Sequence, residues 1–281
     1  MAPPNELPTM SLDDIVATAL SQDAESDSYW ECVGELHRRV NREVFERAAE
    51  MCSASDARSR QLGLDILAQL GSQTERPFLE NVLPIARALA EDPDAAVRTS
   101  ALSALGHQWD PRSLPTLLRH QVDPDANARW TVATAIPCVV SVPPEPSAVA
   151  ALLALMRDED SDVRDWATFA IGSLLVVDGN EIREALTERL DDPDGDTAGE
   201  ALVGLARRGD LSILDHVNEL LGNPRVGNMT VEAAGELADP VLLPALERLH
   251  AAGWAQSDPL GGMLETAIAA CRSGKPASRD G

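Results

Sequence analysis

Small apolar residues recur along most of the chain at the spacing of one helix face, in segments that begin at Asp-Pro and end at Gly. In residues 92–115, Asp-Pro-Asp precedes Val97 and Arg98, small apolar residues follow at helical intervals, and Gly106 closes the run. A second Asp-Pro at residues 110–111 opens another segment. An Asp at a helix start accepts hydrogen bonds from free amides of the first turn, and proline is tolerated at the first helical position. The segment therefore predicts a helix, a turn and a second helix.

The same segment recurs at intervals of about 29 to 38 residues, which is the range of helix-pair repeats. The positions equivalent to Arg98 are Arg60, Arg129, Arg164, Ala198 and Gly227. We expect helix 60–70 to pair with helix 76–90, and each pair to bury its apolar face against neighbouring pairs. The composition agrees with stacked helices, because a chain that is 44% hydrophobic but only 3% aromatic makes many small contacts.

The order of Asp, Arg six residues later, then small residues and Gly resembles the HEAT repeat, particularly the short bacterial type found in phycobilin lyases. The resemblance covers roughly residues 55–252 and implies an all-α fold, an α-α superhelix (HEAT-repeat solenoid) of about six to eight helix pairs. In this family an Asp and an Arg form a ladder between repeats. The residues that match the ladder are Asp92, Arg98, Asp123, Arg129, Asp158 and Arg164. The next copy keeps Asp192 but has Ala198 in place of Arg, so the ladder is expected to fade toward the C-terminus.

The extent of the repeat pattern predicts four parts of the chain. Residues 1–10 are Pro-rich and are expected to be disordered. Residues 11–54 have helical periodicity without the repeat motif, which predicts an N-terminal helical cap over the apolar end of the first repeat. Residues 55–272 form the predicted HEAT-repeat solenoid, and residues 273–281 form a predicted disordered tail.

The net charge of −23, from 46 acidic and 23 basic residues, restricts the classes of partner. Binding to a nucleic-acid backbone requires cationic patches that release counterions, and an acid excess repels phosphate. HEAT-like DNA glycosylases likewise need a cationic rim around their cleft. We therefore expect no direct contact with nucleic acid, and the charge favours a basic protein or peptide as the partner.

The N-terminus and the cysteines indicate the compartment. The first residues, MAPPNELPTM, contain no basic start and no apolar run, and no apolar stretch approaches the length that spans a bilayer. Four cysteines are scattered without a C-x-x-C pair, which is typical of small buried side chains in a reducing compartment. These features predict a cytoplasmic protein without membrane attachment.

The HEAT resemblance also implies a binding surface, because the second helix of each repeat lines the concave face in this family. The position after the ladder arginine and the positions four and eight residues further on share one helix face. The candidate partner-binding residues at these positions are Ser103, His107, Trp130, Thr134, Asp165, Phe169 and Glu232. Trp130 and Phe169 are either exposed anchors or gap fillers between helices, and Trp166 is expected in the core or at its edge.

The sequence lacks complete motifs for catalysis or metal binding. HEAT-type deoxyhypusine hydroxylase binds iron through His-Glu pairs, and no His in this sequence is followed by Glu. The Asp triplets at 158–162 and 192–196 start like calcium loops but lack Gly at the sixth and Glu at the twelfth position. There is no nucleophile-elbow, phosphate-loop or dinucleotide motif. We therefore expect no catalytic residue, no metal and no cofactor.

These observations favour a non-catalytic protein–protein interaction module, acting as an adaptor, regulator or inhibitor. The expected partner is a protein or peptide, with a basic one favoured by the net charge, and a monomer is expected to bind it on an acidic concave face. Charged contacts are expected from Asp165, Glu200, Glu232 and Glu236. The alternative is a lyase- or chaperone-type HEAT protein that acts on a small molecule or cofactor.

Overall fold

The computed structural model describes residues 7–71, 76–254 and 262–276. Within these ranges all regular secondary structure is helical. The α-helices are α1 Leu12–Leu20, α2 Asp27–Arg38, α3 Arg42–Met51, α4 Ala57–Gln69, α5 Leu79–Leu89, α6 Ala95–His107, α7 Leu114–Arg119, α8 Ala126–Val139, α9 Pro146–Leu155, α10 Ser161–Phe169, α11 Asn180–Arg189, α12 Gly195–Arg207, α13 Leu214–Leu220, α14 Asn228–Leu237, α15 Leu243–Ala251 and α16 Met263–Ser273.

Shorter helical turns complete the described chain. A π-helix at Ala170–Leu174 continues α10, and 3-10 turns precede α7, α13 and α15 at Pro111–Ser113, Leu211–Ile213 and Pro240–Leu242. The chain forms two compact units, Met1–Ala148 and Val149–Gly281, which divide within α9. They are called unit 1 and unit 2, and each is described by itself.

In unit 1, the second helices of successive pairs pack in series, with α2 against α4, α4 against α6 and α6 against α8. The first helices α3, α5 and α7 pack on α4, α6 and α8. The prediction that helix 60–70 pairs with helix 76–90 was therefore wrong by one helix: α5 packs mainly on α6, the helix after it, and not on α4, the helix before it. A short connection closes α5 against α6, whereas α4 is packed between α3 and α6.

Unit 2 repeats this arrangement, with α10, α12, α14 and α16 packed in series and α11, α13 and α15 packed on the last three of them. Glycines allow the closest approach. A Cβ added at Gly204 of α12 would lie 2.8 Å from the Gly172 Cα in the π-helix, so two backbones meet there without side chains. The helix pairs of each unit thus follow the predicted all-α repeat.

Aspartates cap the second helices, but the capping residue is not the Asp before Pro that the sequence analysis predicted. In the Asp-Pro-Asp segments the second Asp is the cap: Asp94 accepts hydrogen bonds from the amides of Ala96 and Val97, and Asp194 accepts one from Thr197. The first Asp of each segment is left for another contact, described below. Asp110 caps the turn that leads into α7, with Pro111 at its first position.

Two details of the termini and cysteines depart from the predictions. The predicted disordered N-terminus extended to residue 10, but Leu7–Thr9 is a 3-10 turn, and Arg39 donates hydrogen bonds to the carbonyls of Leu7 and Met10. Residues 1–6 and 277–281 lie outside the described residues. Three cysteines are buried as predicted, whereas Cys138 is exposed near the end of α8.

Candidate functional site

Arginine–aspartate pairs link successive repeats on the side where the second helices begin. Each arginine belongs to one repeat and donates two hydrogen bonds of 2.7–2.9 Å to the aspartate of the next repeat. The arginine side chains are 12–14% exposed and the aspartates 1–6%. The pairs are Arg60–Asp92, Arg98–Asp123 and Arg164–Asp192.

Arg98 and Arg164 also bind the backbone of their own repeat, and so does Arg129, the ladder arginine of the repeat between them. Arg98 donates to the Asp92 carbonyl at 3.1 Å, Arg129 to the Asp123 carbonyl at 2.9 Å and Arg164 to the Asp158 carbonyl at 3.0 Å. Although burial opposes ionisation, the hydrogen bonds from Arg98 and from the backbone hold the pKa of Asp123 at about 2. Arg60, Arg98 and Arg164 therefore each join two helix pairs through a charged, bidentate contact.

On the second helices of unit 2, Glu200 of α12 interacts electrostatically with Asp165 of α10 and Glu232 of α14, and we call these three carboxylates the acidic cluster. Glu200 is hydrogen-bonded to the Ser173 hydroxyl of the π-helix. Within the described residues, Asp165 Oδ1 is buried and has no hydrogen-bond partner. A carboxylate oxygen without a donor is costly in a partly buried place, so this atom lacks a donor that a bound group can supply.

Burial and the charges of neighbouring carboxylates both disfavour ionisation of Asp165 and Glu200. Burial, followed by the charges of Asp196, Asp194 and Asp162, raises the pKa of Asp165 to about 6. Burial, followed by the charges of Asp165 and Glu232, raises the pKa of Glu200 to about 7, against the opposing effects of Arg207 and Ser173. Asp165 and Glu200 therefore hold protons at a pH where isolated carboxyls are ionised.

One arginine of unit 2 neutralises part of this surface. Arg207 donates a 2.7 Å hydrogen bond to Glu232 Oε1, and its Nε lies 3.4 Å from Glu236 Oε1. No guanidinium is among the groups that shift the pKa of Asp165. The α10 side of the cluster is therefore more negative than the α14 side. This internal pairing was not expected from the sequence, where Glu232 and Glu236 counted as free charges.

The aromatic side chains occupy an intermediate environment. In unit 2, the rings of Trp166 and Phe169 meet edge to face with centroids 5.6 Å apart, and both residues are half-buried. Trp130 of α8, in unit 1, is half-buried as well. The two alternatives for Trp130 and Phe169, exposed anchor or buried filler, are therefore not exclusive, because part of each side chain packs while the rest faces solvent.

A pocket of about 390 Å³ opens beside the cluster, at the C-terminal end of the π-helix. Arg208 fixes its wall by donating to the carbonyls of Ile171, Gly172, Gly204 and Val177. π-turns of this kind are frequent at functional sites. The spacing of apolar residues did not indicate the π-helix. The pocket is lined by Gly172, Ser173, Leu175, Val176, Val177, Asp178, Arg207 and Arg208, so Ser173 and Arg207 border both pocket and cluster.

In unit 1, the candidate residues on α6 and α8 bond mainly to their own helices. His107 Nδ1 lies 2.9 Å from the Ser103 carbonyl, its Nε2 lies 3.3 Å from Gln69 Nε2, and Thr134 donates to the Thr131 carbonyl. The helix face predicted to bind a partner is not fully accessible in either unit. Of the residues at its positions, Asp65 of α4 and Val203 of α12 are buried, and the Met229 side chain covers Gly199 of α12.

An exposed aromatic residue of unit 1 was missed by the sequence analysis. Trp109 is 63% exposed, has a backbone φ of +51°, and stacks under the Arg76 guanidinium at 4.9 Å. Arg76 also donates to the Gln108 carbonyl at 2.7 Å. The position of Trp109 between the end of α6 and the helix start at Asp110-Pro111 could have indicated its exposure, because such linkers lie at the surface.

The described ranges show neither a metal-binding cluster nor a membrane-spanning helix. They contain no group of three or more His, Cys, Asp or Glu side chains arranged to hold a metal ion. Asp160 and Asp194, from the two calcium-like triplets, serve as helix caps. No helix in the same ranges is both long and apolar enough to cross a bilayer.

Comparisons with known proteins identify the family. A family profile described as HEAT repeats matches residues 82–172. The chain is 30% identical over 221 residues to protein YibA of Escherichia coli strain K12, covering 76% of each protein. The X-ray structure of E. coli YibA superposes with a TM-score of 0.75 at 26% identity, over 96% of this chain and 95% of that one.

A more distant structure shares the fold alone. The karyopherin Kap121p, bound to the extreme C-terminus of the protein phosphatase Cdc14p, superposes with a TM-score of 0.61 at 13% identity, over 87% of this chain and 30% of that chain. The repeats, the all-helical units and the extent of the match to YibA agree. This chain belongs to the HEAT-repeat family that includes E. coli protein YibA.

Proposed function

We propose that this protein is a non-catalytic interaction module that binds a basic segment of a partner protein on the second helices of unit 2. The proposed contact surface consists of the acidic cluster together with Trp166 and Phe169. HEAT-repeat folds commonly serve protein–protein interaction, and the fold by itself leaves the partner open. The choice of partner therefore depends on the chemistry of this surface.

The observation that carries the proposal is the environment of Asp165. Its buried Oδ1 lacks a donor, the charges that shift its pKa are carboxylates, and Arg207, which borders the cluster, is committed to Glu232 and Glu236. An arginine or lysine side chain supplies what is missing, namely a positive charge and several N–H donors. An anionic ligand would add to the repulsion.

The aromatic pair supports the same chemistry. Phe169 follows Asp165 by one helical turn, so its half-buried ring can contact a cationic side chain while the Asp165 carboxylate binds the charge. Aromatic residues that are held by packing on one side are typical anchors of interfaces. At long range, the net charge of −23 attracts a basic partner and accelerates its association, and it repels nucleic acid.

The remaining candidates keep proposed roles in their own unit. Trp130, Thr134, Ser103 and His107 lie on the second helices of unit 1 and are proposed as further contacts. The arginine–aspartate ladder is proposed to be structural, because its charges are turned toward each other. Kap121p, whose structure shows it bound to the C-terminus of another protein, is a precedent for peptide binding by this fold. We propose that the protein acts as a monomer.

Fluorescence anisotropy with a labelled peptide of alternating arginine and alanine tests this function. The proposal predicts saturable one-to-one binding that weakens as the salt concentration rises, because the attraction is screened. The matched control is the same peptide with glutamate in place of arginine, which should not bind. Equal binding of both peptides, or no binding of the arginine peptide at low salt, would contradict the proposed function.

A further inference from the structure

Trp109 occupies a turn that two other repeats fill with small residues. In three connections, the residue before the Asp that caps the next 3-10 turn has a positive φ. These residues are Trp109 at +51°, Gly209 at +62° and Ala238 at +51°. Glycine adopts this conformation without strain, whereas a residue with a Cβ is strained there. The turn by itself therefore does not explain a tryptophan, and strain that a fold retains at one residue points to function.

The exposed indole is held in one place by its neighbours. Trp109 is 63% exposed, and its backbone N–H donates to the Gly106 carbonyl at 3.0 Å. The preceding Gln108 is buried and donates from its side chain to the Ala68 carbonyl at 2.9 Å. Arg76 donates to the Gln108 carbonyl at 2.7 Å and lies over one face of the indole. A large aromatic side chain that is fixed before a partner arrives loses little entropy on binding, and such residues are typical interface anchors.

The charged groups beside the indole are mainly cationic. Arg112 binds two carboxylates, Glu80 Oε1 at 2.7 Å and Asp110 Oδ2 at 2.8 Å. Arg76 and Arg87 each donate instead to a backbone carbonyl at 2.7 Å. Three guanidinium groups of this network thus stand against two carboxylates, in a protein whose net charge is −23. This part of unit 1 therefore differs in sign from most of the surface.

The arrangement selects the chemistry of an occupant. Arg76 already covers one face of the Trp109 ring, so a second cation over the same ring would be repelled by it. An uncharged aromatic ring suits the open part of the indole, and carboxylates suit the guanidinium groups beside it. A polyanion such as nucleic acid is repelled at long range by the net charge, whereas a segment with few carboxylates is repelled less.

We propose that Trp109, Arg76 and Arg87 form a second docking surface, which binds a segment of a partner protein that carries an aromatic side chain beside carboxylates. We call these three residues the Trp109 surface. It lies in unit 1 and is opposite in charge to the acidic cluster of unit 2, so this inference does not depend on the proposed binding of a basic segment. A protein with both surfaces binds two chemically different segments, as an adaptor does.

Nuclear magnetic resonance of the tryptophan indole N–H groups tests this surface directly. The Trp109 signal is identified in ¹⁵N-labelled protein as the one that Trp109→Gly lacks. A short peptide with one phenylalanine between two glutamates should shift this signal, with saturation at millimolar concentration. Two control peptides should leave it in place: one with alanine instead of phenylalanine, and one with arginines instead of the glutamates.

Two variants separate binding from a structural role. Arg76→Glu should raise the dissociation constant of the glutamate peptide by at least about tenfold, because it reverses the charge beside the ring. The matched control is Arg42→Glu, which makes the same change at an exposed pair with Glu46 in unit 1 and should raise it by less than about threefold. Trp109→Gly should melt within about 3 °C of the wild-type protein, because relief of the positive φ offsets the lost contact with Arg76.

Several results would overturn the proposal. No shift of the Trp109 signal at millimolar glutamate peptide would show that the surface does not bind this class of segment. An equal shift with the arginine peptide would remove the charge selectivity, and a tighter response to a thymidine oligonucleotide would assign the surface to nucleic acid. A larger decrease in the melting temperature of Trp109→Gly would show that the ring serves the fold. None of these results bears on the binding proposed for unit 2.

Discussion

The Tyr29 hydroxyl donates a 2.5 Å hydrogen bond to Asp65 Oδ2, and this contact joins α2 to α4 inside unit 1. Tyr29 is fully buried, with the Arg58 guanidinium 4.4 Å from the centre of its ring. Burial raises the pKa of Asp65, while hydrogen bonds from Tyr29 and Ser100 oppose the increase. The pair therefore satisfies a buried carboxyl at the position where the N-terminal helices meet the repeats.

Removing the tyrosine hydroxyl should destabilise unit 1. In Tyr29→Phe, Asp65 loses its closest donor while the ring remains, and we expect the free energy of unfolding to fall by about 1–3 kcal/mol. Chemical denaturation measures the change. Trp30→Phe, at the half-exposed neighbouring residue, is the control and should have little effect. An unchanged free energy of unfolding in Tyr29→Phe would show that Asp65 finds another donor.

Ladder pairs should contribute far more to stability than exposed ion pairs. Arg98→Ala leaves the buried Asp123 without its bidentate partner, which should reduce the free energy of unfolding by about 3 kcal/mol. The control is Arg157→Ala, which removes an arginine from an exposed pair with Glu188 and should cost about 1 kcal/mol or less. Equal effects in the two variants would mean that the ladder is solvated.

The contribution of Asp123 should depend on pH in a defined direction. Its pKa in the folded protein is lowered to about 2, so the stabilisation is present above the pKa of about 4 of an unfolded aspartate and is lost as the pH falls toward 2. The difference in melting temperature between wild type and Asp123→Asn should therefore shrink between about pH 5 and about pH 2. Melting curves across this range measure it, and a difference that grows in acid would contradict the assignment.

The opposite dependence is expected for the acidic cluster. Because the pKa of Glu200 in the folded protein is raised to about 7, ionisation costs stability as the pH rises from about 4 to about 7. Glu200→Gln removes this cost and should raise the melting temperature at about pH 8 while changing it little at about pH 4. Glu184→Gln, on the exposed face of α11, serves as the control. A lower melting temperature of Glu200→Gln at the higher pH would contradict the repulsion.

Backbone contact between the π-helix and α12 should tolerate no side chain. The Cβ introduced by Gly204→Ala would meet the Gly172 Cα at 2.8 Å, and neither backbone is free to move away. We expect a loss of about 1–3 kcal/mol in the free energy of unfolding, as in other overpacked sites. Gly195→Ala, at the start of the same helix, has nothing within 4 Å of the new Cβ and is the control. Equal stability of the two variants would contradict the close packing.

Local patterns in the sequence predicted the repeat fold well because their causes are local. Asp caps and small apolar residues at helical spacing identified the second helices, and the HEAT resemblance is confirmed by the family comparisons. The displaced partner of α5 is a different case. Which neighbour a first helix packs on depends on the length and course of its connections, and the apolar pattern of α5 suits either side.

The environment of individual side chains was harder to predict for a related reason. Half-burial of Trp130 and Phe169, exposure of Cys138 and burial of Asp65 depend on residues that are distant in sequence. Arg207 pairs with Glu232, 25 residues further along, only because α12 and α14 pack side by side. Periodicity identifies the helix face on which a residue lies, but not which neighbour covers or neutralises it.

The proposed binding depends on a specific acidic site rather than on the overall acidity of the protein. The most direct test compares the dissociation constant of the arginine–alanine peptide for Asp165→Arg and for Glu184→Arg, which change the charge of unit 2 equally. We predict that Asp165→Arg weakens binding by at least about tenfold, whereas Glu184→Arg weakens it by less than about threefold. Equal weakening by the two variants, or unchanged binding in Asp165→Arg, would contradict the account.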